Sequence, residues 1–142
     1  MIIALGSDHA GYELKEAIKD KLKMEGYQTL DLGTHSKSSV DYPVYGHAVG
    51  HAVADGIADR GIAICGSGIG ISIACNKVQG IRCALCTSTE MAELSRRHND
   101  SNVLALGARI INDELAFDIV DAWMATRFEG GRHQHRVDII EE

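Results

Sequence analysis

The sequence predicts an α/β protein: a three-layer α/β/α sandwich, Rossmann-like in plan, around a five-stranded parallel sheet. Three observations predict it. Five short apolar runs of strand length alternate with stretches of helical spacing. The runs are apolar throughout rather than at every second residue, as in strands covered on both faces. With 142 residues, 45% hydrophobic and 24% charged, the chain can bury a full core. No linker, repeat or low-complexity stretch divides it, so residues 1–142 read as one domain.

Ile2 to Gly6 is the first buried strand. Leu14, Ala17, Ile18 and Leu22 follow at helical spacing, and Gly26 closes that helix. Thr29 to Leu32 is a second short strand. Gly33 to Pro43 is a polar loop, and Pro43 suits the first turn of the next helix. Val44, Ala48, Ala52 and Val53 form that helix's predicted inner face. The third strand, Gly61 to Ile64, ends at Cys65, and a helix runs from Ile69 towards Lys77. Ile81 to Cys86 is the fourth strand. Thr87 and Glu90 have capping-box spacing before Met91 and Leu94. Val103 to Leu106 is the fifth strand. Asn112 caps a helix with Leu115, Ala116, Ile119, Val120, Trp123 and Met124 inside. The remainder, 128–142, has no strand to pair with. Its start, Glu129-Gly130-Gly131, reads as a C-terminal arm that leaves the domain and docks on a neighbouring subunit.

The bulk properties exclude several function classes. Net charge is −6, from 14 basic and 20 acidic residues, which argues against a nucleic-acid binder working by bulk charge. No apolar run approaches the ~20 residues of a membrane span. Met1 to Leu5 lacks the basic flank and length of a signal peptide. These features predict a cytoplasmic protein with no membrane or nucleic-acid partner, whose cysteines are free thiols. Cys83 and Cys86 match a C-x-x-C pattern, but within a strand residues three apart point to opposite faces.

Chemistry concentrates at Cys65-Gly66-Ser67-Gly68-Ile69-Gly70. A thiol stands where a strand ends and a glycine-rich turn opens a helix. Free N–H groups and the positive end of the helix dipole gather there, an arrangement that favours a thiolate and a nearby oxyanion. The same residues also read as a glycine turn followed by an inert, buried cysteine. In open parallel sheets, ligands bind outside the carboxyl ends of the strands. Asp8 and His9 follow the first strand, Cys65 to Gly70 the third, and Arg109 the fifth. An acid, an imidazole, a thiol, a hydroxyl, bare N–H groups and an arginine thus meet at one edge. The glycines are spaced G-x-G-x-G and follow the third strand, so they are not a dinucleotide fingerprint, and no phosphate-binding G-x-x-x-x-G-K-[ST] exists. His47 and His51 lie four apart, but Ala48 stands where a zinc protease needs its glutamate. His133 and His135 sit beside Arg132 and Arg136, which fit an anion better than a metal. No metal and no cofactor is expected.

Six motifs together resemble one known family, the type B ribose-5-phosphate isomerases. They are Ser7-Asp8-His9-Ala10-Gly11, Ser39-Val40-Asp41-Tyr42-Pro43, Cys65 to Gly70, Asn76 to Arg82, Arg97 to Leu104, and Phe128 to His133. They run in order over essentially the whole chain. The resemblance implies interconversion of ribose 5-phosphate and ribulose 5-phosphate through an enediolate, without metal or organic cofactor, in the pentose phosphate pathway. It implies dimers or tetramers with shared active sites. It implies that Cys65 moves a proton between carbons 1 and 2, and that the N–H groups of Gly66, Gly68 and Gly70 hold the enediolate oxygen. His98, helped by Asp8 and Ser67, would open the sugar ring. Tyr42 and Asn99 would contact the sugar, and His9, Arg109, Arg132 and Arg136 the phosphate. Ser67 departs from the threonine of many relatives but keeps the hydroxyl. Relatives without the cysteine carry a glutamate at the position of Ile71, and isoleucine cannot be a base.

The residues fit this chemistry independently of the family. Abstracting a proton beside a carbonyl needs a base near neutral pKa and donors for the oxyanion. A phosphate handle supplies remote binding energy, and arginine forks match its geometry. Topology adds that His98 and Asn99 precede the fifth strand, so they belong at the amino edge of their own sheet. They reach a carboxyl-edge site most directly in a neighbouring subunit. Two alternatives remain at this point: an isomerase of a six-carbon sugar phosphate, such as allose or galactose 6-phosphate, and a non-catalytic nucleotide-binding module.

Overall fold

The computed structural model describes residues 1–142. Five strands, β1 (Ile2–Ser7), β2 (Gln28–Asp31), β3 (Arg60–Cys65), β4 (Cys83–Leu85) and β5 (Val103–Gly107), form one parallel sheet in the order β2-β1-β3-β5-β4. Six helices surround it: α1 (Tyr12–Met24), α2 (Tyr42–Ala54), α3 (Ile69–Asn76), α4 (Thr89–Asn99), α5 (Asp113–Ala125) and α6 (Arg132–Ile140). None is long and apolar enough to cross a membrane.

The strands are short, and the three inner ones, β1, β3 and β5, are buried on both sides, so alternate residues feed two cores. Ile3, Leu5, Ile62, Ile64, Leu104 and Leu106 face α1, α4 and α5, where Leu14, Ile18, Ala92, Ile119 and Trp123 meet them. Ala63, Cys65, Val103 and Ala105 face α2 and α3, against Val49, Ile71 and Cys75. Burying each large side chain contributes roughly 1.5–3 kcal/mol. The buried Trp123 spends its one donor on Ser101 Oγ at 2.8 Å. Cys83 packs in the second core and Cys86 in the first, as strand alternation requires of residues three apart.

Several local expectations are corrected. β4 is only Cys83–Leu85, because the Arg82 N–H turns to Asn102 Oδ1 at 2.8 Å instead of extending a ladder. The cap of α4 is Ser88, which accepts from Met91 N at 3.2 Å; the Thr87 hydroxyl faces the Met91 sulfur instead. Asn112 caps α5 as expected, accepting from Leu115 N at 2.8 Å. The buried face of α2 is Gly46, Val49, Gly50 and Ala52, while Val44 is exposed. A Cβ on Gly46 or Gly50 would sit 2.8 Å from Ala74 or Val78, so these glycines let the α2 and α3 backbones approach.

The last fifteen residues fold back on their own domain. Gly130 and Gly131 adopt φ of 68° and 58°, conformations open chiefly to glycine, and turn the chain into α6. Val137 and His133 are buried, and Arg82 Nη1 donates to Glu141 Oε1 at 2.6 Å. The arm therefore packs on α4 of its own chain rather than departing from it, while Ile139 and Ile140 stay exposed.

One charged cluster ties α1 to the sheet edge. Lys15 is fully buried, and its Nζ donates to both Asp31 oxygens at 2.8 Å; Lys19 adds a third bond at 2.8 Å and Gly33 N–H a fourth at 2.9 Å. Burial alone would raise the Asp31 carboxyl; the two lysines and the N–H overturn this and hold it at about 2. A group lowered in the folded state stabilises above its unfolded range and ceases to do so as pH falls through its folded value. This contribution is therefore complete at neutral pH and fades as pH falls from the ordinary aspartate range towards about 2. Asp31→Asn strands Lys15 without its counter-charge and costs about 3–5 kcal/mol, read by urea unfolding at neutral pH. A loss within about 0.5 kcal/mol would show that Lys15 finds water or another partner.

Candidate active site

β1 and β3 are neighbours, yet α1 and α3, which follow them, leave to opposite faces of the sheet. The carboxyl ends of these two strands thus form the switch point at which open parallel sheets bind ligands. Asp8 is buried there, its N–H bound to Ile64 O at 3.2 Å and its Oδ1 accepting from Gly11 N at 3.1 Å. His9 Nδ1 accepts from Val40 N at 3.1 Å, which leaves the ring proton on Nε2 as an outward donor.

Cys65 ends β3, 4% exposed, and Gly68 N–H donates to its Sγ at 3.2 Å. Gly68 is the N-cap of α3 with φ 79°, and a Cβ there would sit 2.5 Å from Leu85. Only glycine makes this turn in the space available. Ile69 N–H is taken by Ser67 Oγ at 3.2 Å. The N–H groups of Gly66, Ser67, Gly70 and Ile71 make no hydrogen bond within the chain, so a set of donors stands open beside the thiol. Arg109 is anchored by its N–H to Gly66 O at 2.9 Å, and its guanidinium lies over Gly66. The Tyr42 ring lies on Gly70, where a Cβ would be 2.5 Å away. Asp8, His9, Tyr42, Cys65, Gly66, Ser67, Gly68, Gly70 and Arg109 are therefore gathered at one edge.

The other cysteines lie outside this cluster. Cys75 donates to Gly46 O at 3.3 Å in the core. The Cys83 thiol is raised by its contact with Cys75 and by burial, and burial pushes Cys86 up to about 11.

His98, Asn99, Arg132 and Arg136 form a second cluster. α4 ends at Asn99, just before β5 begins, so these groups stand at the amino edge of the sheet. The two edges are one strand length apart, about 16 Å for a parallel strand the length of β3. His98 stacks on His133, with ring centroids 4.3 Å apart and planes 14° from parallel. Glu129 Oε1 lies 3.4 Å from His133 Nε2 and 3.9 Å from His98 Nε2. Burial first, then the neighbouring His98 and Arg132, hold the His133 imidazole below the usual histidine range.

Two arginines outside the expected set fix this end. Arg82 Nε and Nη2 donate to the Asn99 and Asp100 carbonyls at 2.8–3.2 Å. Arg96, buried, donates to Asp100 Oδ1 at 2.8 Å and to Ser101 O at 2.6 Å. Arg82 thus satisfies the last carbonyl of α4 and the one after it, as cations at a helix C-terminus do, while Arg96 ties the following turn to the end of α5 through Thr126 O at 3.2 Å. No periodic pattern marks such residues in a sequence; the only signal is an arginine next to a short strand. The hollow near Asn99, about 340 Å³, is bordered by Arg82, Cys83 and Ile140 and stands apart from Cys65.

Comparison with known proteins gives this arrangement a setting. Residues 3–140 match the family model described as Ribose/Galactose Isomerase. Ribose-5-phosphate isomerase B of Escherichia coli (strain K12) is 52% identical over 97% of this chain and 93% of its own length. The solved structure of Clostridium thermocellum ribose-5-phosphate isomerase B is 57% identical, with a TM-score of 0.99 over 99% of this chain and 95% of that one. That of a Thermotoga maritima ribose 5-phosphate isomerase is 48% identical, with a TM-score of 0.96 over 99% and 97%. With the match running almost from end to end, over both edge clusters and the glycine turn between β3 and α3, the chain belongs to the Ribose/Galactose Isomerase family.

Proposed function

We propose that this protein interconverts D-ribose 5-phosphate and D-ribulose 5-phosphate. The observation that carries the chemistry is the Cys65 thiol beside four open N–H groups at the start of α3. Family membership and end-to-end similarity to ribose-5-phosphate isomerases B supply the substrate class.

In this reading Cys65 is the base. It takes the proton from carbon 2 of the open aldose and returns it to carbon 1, while the oxygen proton moves in the opposite sense. The charge that develops on oxygen is met by the free N–H groups of the Gly66–Gly70 loop, which need no reorganisation. Gly68 N–H, aimed at Sγ, supports the thiolate that starts the step. His9 Nε2–H and Arg109 lie at the same edge and hold the phosphate. Tyr42 borders the sugar.

His98 as the ring-opening group, Asn99 as a sugar contact, and Arg132 and Arg136 as further phosphate ligands stand at the opposite edge of the chain. We assign them to the site of a second copy, so that the working enzyme is a homo-oligomer whose sites each draw on two subunits. Exposed Val44, Ile69 and Ile73 beside the glycine loop support such an interface. On this assignment His9 and Arg109 come from the subunit that carries the thiol, and Arg132 and Arg136 from its neighbour. Assembly and action in the cytoplasm, without a metal or organic cofactor, are part of the same proposal.

Turnover measured over a panel of five- and six-carbon sugar phosphates tests the substrate. Ribose 5-phosphate is expected to give the highest kcat/KM; faster turnover of allose or galactose 6-phosphate would overturn the pentose assignment. Saturable nucleotide binding with no sugar turnover would replace the enzyme reading altogether.

Cys65→Ala is expected to lower kcat at least ~10³-fold with a small change in KM, as for a group acting in the transition state. Cys86→Ala keeps most activity, since that thiol is buried in the core on the far face of the sheet. Equal losses at the two positions would remove Cys65 from its role.

His98→Asn separates ring opening from proton transfer. Ribulose 5-phosphate cannot close a five-membered ring, because its oxygen 5 carries the phosphate. The variant is expected to turn over ribose 5-phosphate slowly yet still exchange the carbon 1 proton of ribulose 5-phosphate with deuterated water, followed by proton NMR. Loss of exchange in a folded variant would place His98 in the enediolate step.

A further inference from the structure

The mechanism leaves His133 unused, although it is the one buried histidine of the chain. The local chain is built to bring it under His98. Glu129 N–H binds Arg97 O at 3.1 Å, beside His98, and fixes where the arm leaves α4. The two left-handed glycines then reverse the chain, and His133 N–H closes the turn on Gly130 O at 3.1 Å. The result is a ring 4.3 Å from His98 and 14° from parallel.

We propose that His133 is a positioning residue for His98: its buried ring is the plate that fixes the plane of the half-exposed His98 imidazole. The inference rests on His98 being the ring-opening group. His98 is held at the end of a helix by its backbone, but about χ2 a half-exposed ring turns freely unless something flat lies against it. A group that passes protons to a ring oxygen must be aligned, and a displacement of 1 Å can cost about a hundredfold. His133 suits this role because burial and the neighbouring His98, Arg132 and Arg136 disfavour its charged form against the opposing pull of Glu129, so that the flat ring rather than a cation is favoured against His98. Glu129, within 3.9 Å of both Nε2 atoms, faces the edge of the stack.

The ligating atoms of His98, Glu129 and His133 do lie within 4.8 Å of one another. Near-parallel rings do not converge their lone pairs on one point, and Arg132 and Arg136 add positive charge beside His133. Stacking is the function this geometry serves.

The test compares His133→Ala, His133→Phe and His98→Asn in the full-length protein. His133→Ala is expected to lower kcat for ribose 5-phosphate about 10–100-fold with KM changed less than about twofold, and His133→Phe to recover most of the loss. Carbon 1 exchange on ribulose 5-phosphate stays at the wild-type rate in both. A His133→Phe variant as slow as His133→Ala overturns the proposal. So does a rise in KM at constant kcat, which would mean that His133 acts through Arg132 and Arg136. Should His133→Ala fail to fold, His133→Leu replaces it, filling the space without a flat ring. Undiminished ribose 5-phosphate turnover in His98→Asn would instead remove the role of His98 itself, a result separate from the others.

Discussion

The divergence of α1 and α3 from adjacent strands is the constraint on which the site depends. β1 and β3 end side by side, and the helices that follow them must leave to opposite faces for every crossover to keep one hand. Backbone at the carboxyl ends of these strands therefore has no helix packed across it. Asp8 and His9 enter that gap from β1, and the Cys65 loop enters it from β3. The left-handed turn at Gly68 allows α3 to start at once, so that its unbonded N–H groups fall beside the thiol. The same turn wedges against Leu85 and the end of β5, which fixes the loop to the core rather than leaving it to solvent.

Most of the fold and half of the site are legible in the sequence, and the division has physical causes. Strands buried on both faces announce themselves by continuous apolar runs, and the opposite placement of Cys83 and Cys86 follows from the strand period alone. The thiol, the glycines and Arg109 fall together because each ends or follows a strand, a position the chain order already gives. The errors arise where packing overrides pattern. The buried face of α2 departs from its hydrophobic pattern because two glycines, invisible to such a pattern, form its contact with α3. Thr87 and Ser88 both satisfy the cap spacing, and only the backbone angle chooses between them. A pair of glycines reads equally as a linker or as a tight reversal; burial of Val137 and His133 decides for reversal.

The amino-edge cluster is held by charge rather than by apolar packing. Arg82 closes the carbonyl end of α4 and also grips Glu141 near the end of the chain, while Arg96 holds the turn that follows through Asp100 Oδ1 and Ser101 O. One helix terminus, one turn and the final helix are thus bonded to one another, and they carry His98, Asn99, Arg132 and Arg136. The carboxyl-edge cluster is rigid for a different reason, being built from strand ends and a glycine turn set into the core. Each half is firm within itself, and the proposed catalytic geometry depends on how two such halves meet.

Two clusters at opposite ends of one sheet, if they are halves of sites shared as proposed, also carry a genetic consequence. In a two-fold dimer with shared sites, each copy would give its thiol edge to one site and its imidazole edge to the other. On the proposed roles, a copy lacking Cys65 and a copy lacking His98 would each be inactive with themselves. Joined together, they would rebuild one complete site and leave the other doubly broken. Two null alleles of this gene, chosen from opposite edges of the sheet, would therefore complement each other, whereas two from the same edge would not.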